Sequence, residues 1–168
     1  MKKAFLGFLI LAALVLICAG TALAEPLGPA GGGLSVFADY DSWWDDSATV
    51  GVGCGFSDNL TVGVCYIFER EEFGLYTNLA LGPFRVNAQV ALETDWFGGL
   101  VSGLYVFDLD PIALGVGGGS ELYDDGFDAY FFELAAEFKL DALTVYGSAM
   151  FFPDYDDYSW KIGVSCMF

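Results

Sequence analysis

The sequence predicts an all-β fold: a single up-and-down antiparallel β-barrel of ten strands, or of eight if the first and sixth segments are not strands. Two observations predict it. Apolar residues alternate with small or polar ones through ten short segments, the period-two signature of strands with two unlike faces. Minimal connections also take turns with longer, acidic ones along the whole chain, which is the connectivity of consecutive hairpins.

The first segment, Leu34 to Asp41, carries Leu34, Val36, Ala38 and Tyr40 on its apolar face. The second, Ala48 to Phe56, sets Val50, Val52, Cys54 and Phe56 against Thr49, Gly51, Gly53 and Gly55. Ser57-Asp58-Asn59 is turn chemistry, and the third segment, Leu60 to Phe68, sets Leu60, Val62, Val64 and Tyr66 against Thr61, Gly63 and Cys65. The fourth runs from Phe73 to Leu81 and turns at Gly82-Pro83. The fifth, Phe84 to Glu93, is the cleanest, with Phe84, Val86, Ala88, Val90 and Leu92 alternating with Arg85, Asn87, Gln89, Ala91 and Glu93.

The sixth segment, Phe97 to Phe107, is ambiguous because Leu100, Leu104 and Val106 make both faces apolar. After the turn at Asp108 to Pro111, the seventh (Ile112 to Ser120) opposes Ile112, Leu114 and Val116 to Ala113, Gly115 and Gly117. The eighth, Ala129 to Leu140, opposes Tyr130, Phe132, Leu134, Ala136 and Phe138 to Phe131, Glu133, Ala135, Glu137 and Lys139. Asp141-Ala142 leads into the ninth, Leu143 to Phe152, and the tenth runs from Tyr158 to the final Phe168. The longer connections are Ser42 to Ser47, Glu69 to Glu72, Thr94 to Trp96, Glu121 to Asp128 and Pro153 to Asp157.

Segments of roughly ten residues suit tilted strands that cross a bilayer. Alternation alone leaves open whether the apolar face is inside, as in a secreted soluble barrel that carries a ligand, or outside, in lipid. The polar face decides. A soluble surface is rich in Lys and Glu, whereas this one is mostly Gly, Ser, Thr, Asn and Gln. Glycines 51, 53, 55, 63, 115, 117 and 163 suit a narrow interior that must admit Tyr76, Phe131, Tyr146 and Phe152. Aromatics gather at segment ends: Phe56, Phe84, Phe107, Phe138 and Phe168 beside the short turns, and Trp43, Trp44, Trp96 and Trp160 beside the longer loops. Two girdles at membrane–water boundaries are expected.

Lys2 and Lys3 precede an apolar run from Ala4 to about Ala19, and Ala22-Leu23-Ala24 follows before Glu25. A basic start, an apolar stretch and an A-x-A site predict a secretory signal peptide over 1–24, cleaved after Ala24. Bulky Leu16 and Ile17 argue against lipidation at Cys18. The expected organisation is a signal peptide (1–24), a flexible segment (25–33) and a barrel (34–168). Cleavage leaves Arg70, Arg85, Lys139 and Lys161 against 23 acidic residues, a net charge of −19. Such acidity excludes nucleic acid as a partner, since the phosphates would be repelled.

The last eight residues, Lys161 to Phe168, put Ile162, Val164, Cys166 and Phe168 on one face, in line with Trp160. Spaced as Lys161, Gly163, Cys166 and Phe168, they resemble the terminal strand of small bacterial outer-membrane β-barrel proteins. The resemblance implies location in the outer membrane of a Gram-negative bacterium and a porin-like architecture with short periplasmic turns and acidic outer loops. It implies periplasmic chaperones, the outer-membrane assembly machinery, and membrane lipid with lipopolysaccharide as partners. It also makes Lys161, Gly163, Cys166 and Phe168 the assembly signal.

Catalysis is not expected. The chain has no histidine, which removes Ser-His and Asp-His arrangements, and outer-membrane enzymes of this barrel size rely on such histidines. No cofactor motif is present. Cys54, Cys65 and Cys166 fall on different faces or strands and read as free thiols. Among interior charges, Arg85, Lys139 and Lys161 are expected to pair with Glu133, Glu137 or another lumen acid. Asp124, Asp125, Asp128, Asp154, Asp156 and Asp157 are oxygen-rich candidates for divalent cations such as Ca²⁺ or Mg²⁺, although no spacing matches a defined calcium loop. The expected function is a small filled barrel with a structural or surface-interaction role. The alternative is a narrow channel for small solutes or cations.

Overall fold

The structure, a computed structural model, describes residues 33–42, 46–92, 97–123, 126–140 and 143–168. The expected signal peptide, most of the 25–33 segment, Trp43, Trp44, Glu93, Trp96, Asp124, Asp125 and the Asp141-Ala142 turn lie outside the described residues. Ten strands form: β1 (Leu34–Asp41), β2 (Ser47–Ser57), β3 (Leu60–Ile67), β4 (Glu72–Leu81), β5 (Phe84–Leu92), β6 (Phe97–Asp108), β7 (Ile112–Tyr123), β8 (Gly126–Leu140), β9 (Leu143–Phe152) and β10 (Asp157–Met167). Each pairs antiparallel with its neighbours in sequence, and β1 pairs with β10 to close the barrel. The ten-strand count is therefore correct, and the eight-strand alternative falls.

Closure abolishes free edges. At its lower end the seam is tied by Leu34 N–H to the Phe168 carbonyl (3.1 Å) and by Phe168 N–H to the Leu34 carbonyl (2.7 Å). Higher up, Asp41 lies opposite Lys161. At the short-turn end, Gly82 takes φ +63°, a left-handed conformation that suits glycine in a two-residue hairpin. Asn59 N–H is held by Ser57 Oγ at 3.3 Å.

The register settles the ambiguous sixth segment. Arg85, Asn87 and Gln89 of β5 face inward opposite Leu104, Ser102 and Leu100. Leu104 is 1% exposed and Val106 is also buried. The outward row of β6 is Gly99, Val101, Gly103, Tyr105 and Phe107.

One connection differs from expectation. The long acidic loop at Glu121 to Asp128 is instead strand for most of its length, because β7 continues to Tyr123 and β8 starts at Gly126. A register irregularity between Ser120 and Leu122 accommodates the extension, as bulges at sheet ends do. Ser120 Oγ donates to the Ala129 carbonyl across it at 3.0 Å.

Outward side chains are apolar around the wall. Val52, Val64, Leu75, Val116, Leu134 and Ile162 are among those exposed at mid-strand. Aromatics concentrate toward both ends: Phe56, Phe84, Tyr105, Phe107 and Phe138 at the short-turn end, and Phe73, Tyr130, Phe132, Tyr158 and Trp160 at the other. Several touch edge to face, including Phe84 with Tyr105 (5.2 Å between centroids) and Tyr105 with Phe107 (4.9 Å). The interior holds the polar residues. Ser35, Asp41, Thr49, Thr61, Glu137, Thr144 and Ser165 are all buried. This is the reverse of a water-soluble protein, whose charges face out.

Candidate functional site

Strand parity places Ser35, Phe37, Asp39 and Asp41 of β1 inside, and Lys161, Gly163 and Ser165 of β10 beside them. Lys161 Nζ lies 3.0 Å from Asp41 Oδ2 and 4.0 Å from Asp39 Oδ2. It also donates across the lumen to Gln89 Oε1 of β5 at 3.2 Å. Tyr146 of β9 donates its hydroxyl to Asp39 Oδ2 at 2.9 Å. Tyr76 of β4 and Ser35 share a hydrogen bond at 3.3 Å, and the Tyr76 ring meets Phe37 edge to face at 5.0 Å. Side chains from β1, β4, β5, β9 and β10 are thus linked through the interior, which rigidifies it when its members are satisfied.

Space for these rings comes from glycine. A Cβ at Gly63 would overlap the Tyr76 ring, and one at Gly163 would lie 2.5 Å from Tyr146 Cζ. The sequence expectation that small residues admit large rings is met for Tyr76, over Gly53 and Gly63, and for Tyr146, over Gly163, while Phe131 lies over Gly119. Tyr76, Phe131, Tyr146 and Phe152 are all buried. Apolar layers flank the polar middle: Ala129, Phe131, Met150 and Phe152 toward the longer loops, and Leu104, Val106 and Ala113 toward the short turns. A central cavity of about 150 Å³ is left between strands.

Of the expected lumen ion pairs, that of Lys161 forms with other lumen acids, Asp41 and Asp39, and not with Glu133 or Glu137; those of Lys139 and Arg85 need revision. Lys139 sits at the short-turn end, 3.6 Å from exposed Asp108. Arg85 does not reach across to the β8 carboxylates; its described bonds run to the carbonyls of Gly82 and Phe84 beside it. Its place at the start of β5 explains this, because the turn carbonyls are nearer than the middle of the lumen. Glu133 and Glu137 are buried on the inner face of β8, where Ser102 and Ser148 hydrogen-bond to Glu133.

Cys54, Cys65 and Cys166 are free thiols, with Cys54 exposed on the outer face and Cys65 buried inside. Cys166 belongs to the outward row yet is buried, flanked across the strands by Val36 and Leu143. Of the four residues that the resemblance makes an assembly signal, Lys161 and Gly163 point inward, and Phe168 makes the closing bonds to Leu34.

Among the oxygen-rich loop residues, Asp128 accepts the Tyr155 hydroxyl at 2.9 Å, and Glu121 lies 3.3 Å from the same oxygen. The bond to Asp128, with both carboxylate charges, holds the Tyr155 phenol above its ordinary range. Asp157 Oδ1 accepts the Tyr158 N–H at 2.7 Å. Arg70 lies 3.8 Å from Glu72 at the same end. No group of three or more metal-ligating side chains forms among the described residues.

A scan against models of known protein families finds no match, and a search of curated proteins finds none either. The fold and its interior chemistry therefore carry the functional reading.

Proposed function

We propose that the chain is a small, filled outer-membrane β-barrel with a structural or surface-interaction role and no enzymatic activity. The observation that carries this reading is the inside-out distribution of polarity: apolar residues cover the outer wall while carboxylates, a lysine and hydroxyls fill the interior. Water on that wall would cost roughly 25 cal/mol for each Å² of apolar surface, whereas lipid removes the cost. The aromatic bands at both ends match the two boundaries of a bilayer. On this reading residues 1–24 direct export, the short turns face the periplasm, and the acidic loops face lipopolysaccharide. Tyr146, Tyr76 and the Phe131–Phe152 layer fill the lumen, as side chains do in barrels near this size. The acidic lining of the cavity favours a second reading, a narrow path for cations.

Single cysteines at Val86, Ala88 and Val90, in a background without Cys54, Cys65 and Cys166, test the assignment of faces. In membranes they are expected to resist a charged thiol reagent and to react only after denaturation. Ready labelling of all three, with protection at Thr144 and Ser148, would mean an apolar interior and a soluble carrier. In planar bilayers the filled barrel is expected to pass no stable current; a reproducible conductance would favour the channel.

The terminal row gives a second expectation. Phe168→Asp places a charge near the proposed lipid boundary, where the cost to a finished barrel is about 0–1 kcal/mol. That is too little to unfold the barrel. A several-fold loss of assembled protein is nevertheless expected, with precursor held or degraded in the periplasm, because the assembly machinery would no longer recognise the strand. Normal yield of this variant would remove Phe168 from the assembly signal.

A further inference from the structure

The central cavity has a wall of unusual composition for a space that is merely left over. Four aromatic residues, Phe37, Tyr76, Phe131 and Tyr146, contribute to it. So do three carboxylates, Asp39, Glu133 and Glu137. Among the described lining residues the single cation is Lys161, and its nearest carboxylate, Asp41 at 3.0 Å, is not part of the wall. The lysine charge is thus largely matched before the wall carboxylates are counted.

Two buried acceptors that line this space, Asp39 Oδ1 and Asn87 Oδ1, have no hydrogen-bond partner among the described residues. Asp39 is only 9% exposed. An acceptor left bare in a low-dielectric interior is costly, so both call for a donor within the cavity. At about 150 Å³ the cavity far exceeds the share of one water in the liquid, about 30 Å³.

We propose that this cavity binds a small organic cation, an ammonium or guanidinium group carried on a few carbons. Such a ligand offers positive charge to Glu133 and Glu137, N–H donors to the bare acceptors, and a short apolar body to the rings. Aromatic faces attract cations most strongly where water is excluded. A bare metal ion fits less well, because no three ligating side chains converge among the described residues and the rings cannot replace a hydration shell. An anion would meet three carboxylates. The inference stands on the interior alone and does not depend on what surrounds the outer wall.

The test uses the full chain purified and folded in detergent, in an amine-free buffer, with n-propylammonium chloride titrated by calorimetry. Saturable binding is expected for n-propylammonium and absent for 1-propanol and for sodium chloride at the same ionic strength. Glu133→Gln is expected to weaken it at least tenfold, and Glu137→Gln to weaken it also; retention of a folded, heat-sensitive band on gels qualifies each variant. If one variant does not fold, the other and the 1-propanol comparison decide. Equal binding of 1-propanol would reduce the site to an apolar void, and no saturable binding would mean a cavity filled by water; either overturns the proposal. Unchanged affinity in the folded variants overturns it as well. Because cysteine labelling reads the outer wall and calorimetry reads the lumen, failure of one leaves the other standing.

Discussion

Replacing Lys161 with Met is expected to destabilise the folded barrel by about 3–5 kcal/mol, the range for removing one partner from a buried ion pair. The substitution keeps most of the aliphatic volume, so the loss reports charge and not a cavity. It leaves Asp41, which is fully buried, without the ammonium 3.0 Å away, and it cuts the 3.2 Å bond to Gln89 across the lumen. The pair also joins β10 to β1, so its loss falls on the contact that closes the barrel. The measurement is the denaturant or temperature midpoint of the folded band on gels. Adding Asp41→Asn to Lys161→Met is expected to recover part of the loss, since the second change removes the stranded charge; such coupling is what a double-mutant cycle isolates. Lys139→Met is the contrast. Its partner Asp108 is 65% exposed, and exposed pairs are worth about 0–1 kcal/mol. Equal losses from Lys161→Met and Lys139→Met would mean that the lumen pair is as solvated as the one at the rim.

The central role of Lys161 was only half legible in the sequence, and the reason is geometric. Alternation in β1 and β10 is enough to put Asp39, Asp41 and Lys161 on the inner face. What it cannot supply is the register between two strands at opposite ends of the barrel segment, which sets Asp41 opposite Lys161 and Asp39 opposite Gly163. The face alone therefore left the partner of Lys161 open between Glu133, Glu137 and another lumen acid. The outer wall was easier to read, since a period of two fixes a face without reference to any partner, as in β5. The same rule fails in β6, where Leu100 and Leu104 make both faces apolar and only pairing with Gln89 and Arg85 decides. In β7 the pairing with β6 continues through Glu121, Leu122 and Tyr123, but acidic composition made strand look like loop. Arg85 shows a further limit: parity gives the face, while the depth of a residue along the strand decides which partners it can reach.

Gly163→Val is expected to cost about 3–5 kcal/mol, against less than about 0.5 kcal/mol for Gly103→Val, an ordinary surface substitution. Both glycines lie within strands, so intrinsic strand preference cannot separate them. Surroundings do. A Cβ at Gly103 meets nothing within 4 Å, whereas one at Gly163 lies 2.5 Å from Tyr146 Cζ and 2.6 Å from Asp39 Cβ. Overpacking costs about 1–3 kcal/mol. The Tyr146 ring must also move, which breaks its 2.9 Å bond to Asp39, and hydrogen bonds to charged groups contribute about 1.5–3 kcal/mol. The folding midpoint of each variant measures the difference. Combining Gly163→Val with Tyr146→Ala vacates the contested volume, so the double variant is expected to lose less than the two single losses added together. If Gly163→Val is no worse than Gly103→Val, the Tyr146 ring can leave the space over Gly163 without loss, and its bond to Asp39 does not hold the lumen together.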